Sequence, residues 1–180
     1  MPTAGKGFEQ AYNAQASVDM DTILIVGQHV TQNPNDKQEV EPAPDEIDKL
    51  PEELGKVGRM AADNGYESEA NTEKCAARDI DPYMAGSRQN HNPSIEERFA
   101  PDPEAPEDPD VVTAMKHRMQ TKEGKEFYAR RKTTVEPVFG IIKEVMGFRR
   151  FMLRGFEAVK GEWTLVCAAF NLKRLCALSA

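Results

Sequence analysis

The sequence predicts an α/β chain, on three observations. Apolar residues alternate at period two over residues 12–18, and apolar runs at 22–26, near 57–62 and near 81–84 come next, as strands do. From Met115 onward apolar residues recur at spacings of three and four, as on a helix face. An acidic, proline-rich run separates the two regions.

Taken in order, Tyr12, Ala14, Ala16 and Val18 alternate with Asn13, Gln15 and Ser17, the pattern of a half-buried strand. Asp19-Met20-Asp21 forms a turn and Thr22 to Val26 a second, β-branched strand, completing a hairpin. Asn33-Pro34-Asn35-Asp36 breaks that strand, with Asp36 as a cap for the next segment. Three prolines (Pro42, Pro44, Pro51) leave room for one short helix from about Asp45. Val57 to Ala62 is expected as a buried strand that stops at Asp63-Asn64-Gly65-Tyr66, a tight turn. Ser68 to Arg78 should be helical, with Ala70, Cys75 and Ala77 facing inward, and Asp81 to Met84 a further strand.

The run PDPEAPEDPD holds four prolines and five acids and cannot bury a core, so residues 87–113 are expected as a loop or insertion. Beyond it, Val135, Val138, Ile142 and Val145 mark one apolar helix face, and Pro137 should kink that helix or start it. The last helix, Val159 to Leu178, is apolar almost all round apart from Asn171 and is expected inside a core, with Trp163 packed there. The expected organisation is a core over 1–86, the loop over 87–113 and C-terminal helices over 114–180. No internal repeat is visible.

The 180 residues suffice for one domain with an appendage, and no apolar run reaches the ~18 to 20 residues of a membrane span. Cys75, Cys167 and Cys176 are odd in number and lack metal-type spacing, which fits a reduced, cytoplasmic protein. His29, His91 and His117 share no ligand spacing and are expected to be structural or exposed. There is no glycine-rich phosphate loop, no serine nucleophile motif and no Cys/His catalytic pair. The net charge of -7 conceals a division. Residues 1–115 carry 9 Lys and Arg against 24 Asp and Glu, whereas residues 116–180 carry 14 against 6. A basic tail admits a polyanionic partner; attraction between the two halves is the plainer alternative.

Two acids stand where chemistry could sit. Asp63 comes directly after a strand and faces a turn, a place that suits a hard-cation ligand, or else an Asx-type turn. Glu136 and Lys143 are seven residues apart, two helical turns, with Tyr128 and Arg131 just upstream. A carboxylate among cations suits a site that holds a metal and phosphate oxygens; the alternative is a solvated face whose ion pairs contribute under about 1 kcal/mol each.

The order GFEQAYNAQASVD, VTQNPNDKQEV, AADNGYESEAN and YARRKTTVEPVFGIIKEVMGFRRFMLRGFEAVKGEWTLVCAAFNLKRL resembles the C-terminal part of bacterial insertion-sequence transposases of the DDE class. That resemblance covers most of the chain and is weakest over residues 87–125. It implies a ribonuclease H-like fold lacking its first strand (a mixed sheet with flanking helices and a C-terminal helical segment), and a DNA strand-cleaving and strand-transferring activity. Three carboxylates would bind two ions of magnesium or manganese, with Asp63 as the second acid and Glu136 as the third. Tyr128, Arg131 and Lys143 match the residues that accompany the glutamate, with four residues between Arg131 and Glu136 where the commonest pattern has three. Arg149, Arg150 and Arg154 would join them on DNA. The first acid would lie on a strand before the hairpin; Asp19, in the hairpin turn, is the other candidate. The chain is thus expected to be an N-terminally truncated, inactive form, associated with the bacterial chromosome. Its partners would be the element ends, target DNA, a full-length transposase or a second copy, and no membrane. A non-catalytic DNA- or transposase-binding remnant is the alternative.

Overall fold

Strands Asn13–Val18 (β1) and Ile25–Thr31 (β2) pair antiparallel, with a register shift at Ser17/Val18 where Ser17 faces Gly27 and Val18 faces Ile25. The computed structural model describes residues 12–32, 42–86 and 100–179. Asp36, His91 and residues 87–99 of the expected loop lie outside these. The chain divides into two units, one of Met1–Leu54 with Arg131–Ala180, the other of Gly55–Arg130.

In the first unit the hairpin forms, but its second strand starts three residues later than expected. Asp19 is the cause. Its Oδ2 accepts from the Thr22 amide at 2.7 Å and the Thr22 hydroxyl at 2.6 Å, and its carbonyl accepts from Ile23 N–H at 3.0 Å. This binds Thr22 and Ile23 into the turn, with Ile23 in the left-handed region (φ 60°), a rare conformation for a β-branched residue. A short helix, Pro42–Ile47 (α1), begins earlier than Asp45, because prolines are tolerated in a first turn whose amides need no intrahelical partner.

The core of this unit is Ile25, Val30, Val138, Ile142, Val159, Trp163, Cys167 and Phe170, with the alternating Tyr12, Ala14, Ala16 and Val18 packed against it. The closing helix is Phe156–Leu178 (α5). Four side chains join it to the hairpin. The Asn171 amide accepts from Ile25 N–H and donates to Ile25 carbonyl, both at 2.8 Å. Trp163 Nε1 donates to the Gln15 carbonyl at 3.0 Å, Arg174 Nε to the Thr22 carbonyl at 2.7 Å, and Gln28 Nε2 to Thr164 Oγ1 at 3.0 Å. α5 is not enclosed as expected. It buries one face only, and Leu165 and Leu172 are 73% and 65% exposed.

In the second unit, Arg59–Ala62 (β3) and Asp81–Met84 (β4) run parallel, joined by Glu69–Ala76 (α2), a βαβ crossover. β3 is half-buried with Arg59 exposed, not fully buried as expected. The inward face of α2 is Asn71, Thr72 and Cys75; the expected Ala70 and Ala77 are exposed. Polar residues are tolerated inside because they are satisfied. Asn71 Nδ2 donates to the Tyr66 carbonyl at 2.7 Å, and Thr72 Oγ1 to the Ser68 carbonyl at 3.0 Å. The proline-rich run is irregular from Ala100 to Asp110, and the expected loop then gives way to helix Val111–Arg118 (α3), capped by Asp110. Asp102 Oδ1 accepts from Lys122 N–H at 2.9 Å, and His117 Nε2 meets the Pro103 carbonyl at 3.0 Å.

Lys122–Gly140 (α4) passes through Pro137 without ending, so the expected helix start there is not seen. It continues as a π-helical turn, Ile141–Val145, in which Met146 N–H bonds to the Ile141 carbonyl at 2.9 Å. The wide turn breaks the three-and-four spacing. Val138 and Ile142 are buried, while Val145, expected on the same face, is 63% exposed. The described strands form two separate two-stranded sheets and not the single mixed sheet expected. The hairpin is occupied by α5 side chains, and β3 has its parallel partner in β4; no third strand joins either among the described residues.

Candidate functional site

β3 ends at Ala62, and Asp63 caps the adjoining 3₁₀ turn, Asn64–Tyr66. Its Oδ1 accepts from Asn64 N–H at 2.8 Å and the residue is exposed. The strand-end position and the Asx-like bond are thus both realised at one residue. Glu136 lies on α4, exposed, and no ion pair or hydrogen bond engages its carboxylate among the described residues. It thus stands on a solvated helix face, without an ion pair of its own among the described residues.

The accompanying residues divide between two roles. Tyr128 is half-buried and packs, with Ala61 and Phe127, on the cluster Tyr83, Ala85 and Met119. Arg131 is half-buried as well. Lys143 sits in the π turn, exposed, with Nζ 5.9 Å from the Phe139 ring centroid. Because the π turn begins at Ile141, the two whole α-turns that would align Lys143 with Glu136 are not completed. Asp63 belongs to the unit of Gly55–Arg130; Glu136 and Lys143 belong to the other.

Between the π turn and α5 runs a loop whose arginines are all exposed. Arg149 pairs with Glu144, both largely solvated, so the pair contributes little to stability. Arg150 and Arg154 make no ion pair among the described residues. Glu162, which no motif in the sequence singles out, shapes this loop. Its Oε1 accepts from Met152 N–H at 2.9 Å and its Oε2 from Leu153 N–H at 3.0 Å. Asn171 was visible as the polar interruption of an apolar helix, but nothing in its spacing signals the hairpin it holds.

Burial pushes the Cys75 thiol up to about 11 and the Cys167 thiol up to about 12, so neither is a thiolate ligand or nucleophile near neutral pH. Among the described residues no three His, Cys, Asp or Glu side chains are grouped to hold a metal ion, and Asp19 is committed to its turn. The described residues therefore do not by themselves provide the two-ion site that the resemblance implies. An open concavity of about 280 Å³ in the second unit is lined by Asp79, Asp81, Pro82 and Arg118 among others, and holds none of the candidate residues. No helix among the described residues is long and apolar enough to cross a membrane.

Residues 104–176 match the family model described as the transposase DDE domain. The matched stretch contains Tyr128, Arg131, Glu136, Lys143 and the three loop arginines, and leaves Asp63 outside. No curated protein and no solved structure matches the chain. The match supports a transposase DDE-type domain in this chain.

Proposed function

We propose that the chain is part of a bacterial insertion-sequence transposase of the DDE class, acting on DNA phosphodiesters by phosphoryl transfer, with a ribonuclease H-like ancestry for its strands and helices. The observation that carries this is Glu136. It lies within the matched residues, exposed and without an ion pair or hydrogen bond among the described residues, in a segment where Lys and Arg outnumber acids 14 to 6. Asp63, at the end of a parallel strand, is its companion acid. Magnesium or manganese is the expected cofactor, and Tyr128, Arg131 and Lys143 are assigned to phosphate. The DNA of the element ends and of the target is the partner, which places the protein with the chromosome in the cytoplasm.

A second reading, a DNA-binding remnant without chemistry, is favoured by the absence of a three-ligand group among the described residues. One experiment separates them. Supercoiled plasmid carrying the element ends is incubated with the chain, with and without magnesium or manganese. Metal-dependent nicking that Asp63→Asn and Glu136→Gln each abolish supports the transposase reading. Nicking at the same rate in both variants overturns the assignment of these acids, and salt-sensitive binding with no nicking supports the remnant.

A further inference from the structure

The loop between Gly147 and Gly155 is built in two layers. Both glycines take positive φ (74° and 92°), the left-handed region where a Cβ is disfavoured, and so they bracket the segment with sharp reversals. Its aromatic residues turn inward. Phe148 and Phe151 meet edge to face at 5.4 Å and lie 6.3 and 6.5 Å from Trp163, and Tyr12 meets Phe151 at 6.2 Å. Its backbone is held from α5, where the two oxygens of Glu162 take the amides of Met152 and Leu153. The remainder points into solvent: Met152 is 69% and Leu153 52% exposed, between the exposed Arg150 and Arg154.

Met152 and Leu153 stand side by side in solvent on a backbone held at two amides, an exposed apolar feature of the kind that a partner covers. The charge around it identifies the partner's chemistry: two exposed arginines that make no ion pair among the described residues suit phosphates on either side of an apolar contact. DNA presents that combination where a base step is opened, since unstacked bases are apolar and their flanking phosphates are not. Resting on the DNA reading above, we propose that Met152 and Leu153 form a wedge that opens a base step in duplex DNA, that Arg150 and Arg154 hold the flanking phosphates, and that Glu162 is the positioning residue that presents the wedge.

The test uses the full chain and a duplex with an end label for anisotropy and one 2-aminopurine at a flexible pyrimidine–purine step. Wild type should bind with strong salt dependence and raise 2-aminopurine fluorescence several-fold as the base unstacks. Met152→Ser/Leu153→Ser should lose the rise and keep the salt slope. Arg150→Gln/Arg154→Gln should lower the slope of log K against log salt by about 2, one for each phosphate contact. Glu162→Ala should lose the rise, and Glu162→Gln, which keeps one acceptor oxygen, should recover part of it; circular dichroism shows that each variant is folded. Salt-sensitive binding with no rise in wild type overturns the wedge and leaves the DNA reading standing. Absence of salt-sensitive binding overturns both. A full rise in Glu162→Ala overturns the positioning role. Self-association that the Met152→Ser/Leu153→Ser variant abolishes, with binding unchanged, assigns the tip to a second copy and overturns the wedge.

Discussion

Trp163 is where the hairpin, α4 and the arginine loop meet, and its removal tests that packing directly. The side chain is 2% exposed. Phe139 stacks on it at 6.0 Å and 15°, Phe148 and Phe151 lie against it, and its Nε1 donates to Gln15. Trp163→Ala deletes the largest buried side chain of the first unit and should cost about 3–5 kcal/mol. Trp163→Phe keeps most of the apolar contact and loses the hydrogen bond, which contributes about 0.5–1.5 kcal/mol, together with a little volume. Against a domain stability of about 5–15 kcal/mol, the alanine variant should sit near unfolding and the phenylalanine variant well clear of it.

The assay is urea denaturation followed by far-UV circular dichroism. Trp163 is the single tryptophan of the chain, so fluorescence reports the first unit in wild type and is lost in the variants. Limited trypsin digestion adds a local measure. Freed from its aromatic anchors, the loop should be cut faster at Arg149, Arg150 and Arg154 than in wild type. A loss below about 1 kcal/mol in Trp163→Ala, with unchanged trypsin sensitivity, would refute the claim that this ring organises the unit, because a buried aromatic with three ring neighbours cannot be removed so cheaply.

Gly124→Ala should destabilise the second unit by about 2–3 kcal/mol, although alanine ordinarily improves a helix, because its Cβ would lie 1.8 Å from the Arg118 carbonyl oxygen; thermal melting of the variant decides the sign. Asn171→Leu keeps the volume of the side chain and leaves both Ile25 backbone groups without its amide, an expected loss of about 2–3 kcal/mol in the same urea experiment. At pH 8 a disulfide reagent should label one thiol, exposed Cys176, at once, and Cys75 and Cys167 only on unfolding, since burial holds both in the thiol form; three fast equivalents would contradict this. Asp110 should titrate below the ordinary carboxylate range because the Thr113 amide bonds to its charged form. Its contribution to α3 is then fully present above the unfolded pKa and is lost as pH falls through the folded one, which the Thr113 amide shift would follow by NMR and Asp110→Asn would abolish.

How much of this was legible before the structure depended on whether the signal was local. β1 was readable because every second side chain packs on one core. β2 was misplaced because β-branched Ile23 looks like strand and is in fact held in a left-handed turn by Asp19, a hydrogen-bonding effect that periodicity does not carry. The face of α2 was misjudged for a related reason: Asn71 and Thr72 are inside because their polar atoms find carbonyls, and no hydropathy pattern records that. Val145 left its face because a π turn intervenes. For the candidate site, ADNGY and VEPVFG stood out because they are contiguous strings. Glu162 did not, because its partners are amides nine and ten residues earlier, reached through a reversal at Gly155.

The isolation of Glu136 can be traced to its neighbours. Among the acids of residues 116–180, Glu123 pairs with Arg59, Glu144 with Arg149 and Glu157 with Lys160, and Glu162 holds the loop amides. Glu126 and Glu136 are left, both exposed and without an ion pair among the described residues. At Glu136 the positions one helical turn further along are taken by Phe139 and Gly140, neither of which offers a cation. Lys132 lies one turn before Glu136, the less favourable order, and does not engage it. Phe139 instead stacks on Trp163 and carries Lys143 above its ring, so the cation nearest in sequence on the C-terminal side is directed to an aromatic face and away from pairing with the carboxylate. The same packing that stabilises the first unit thereby leaves Glu136, like Glu126, exposed and without an ion pair among the described residues of a strongly basic segment.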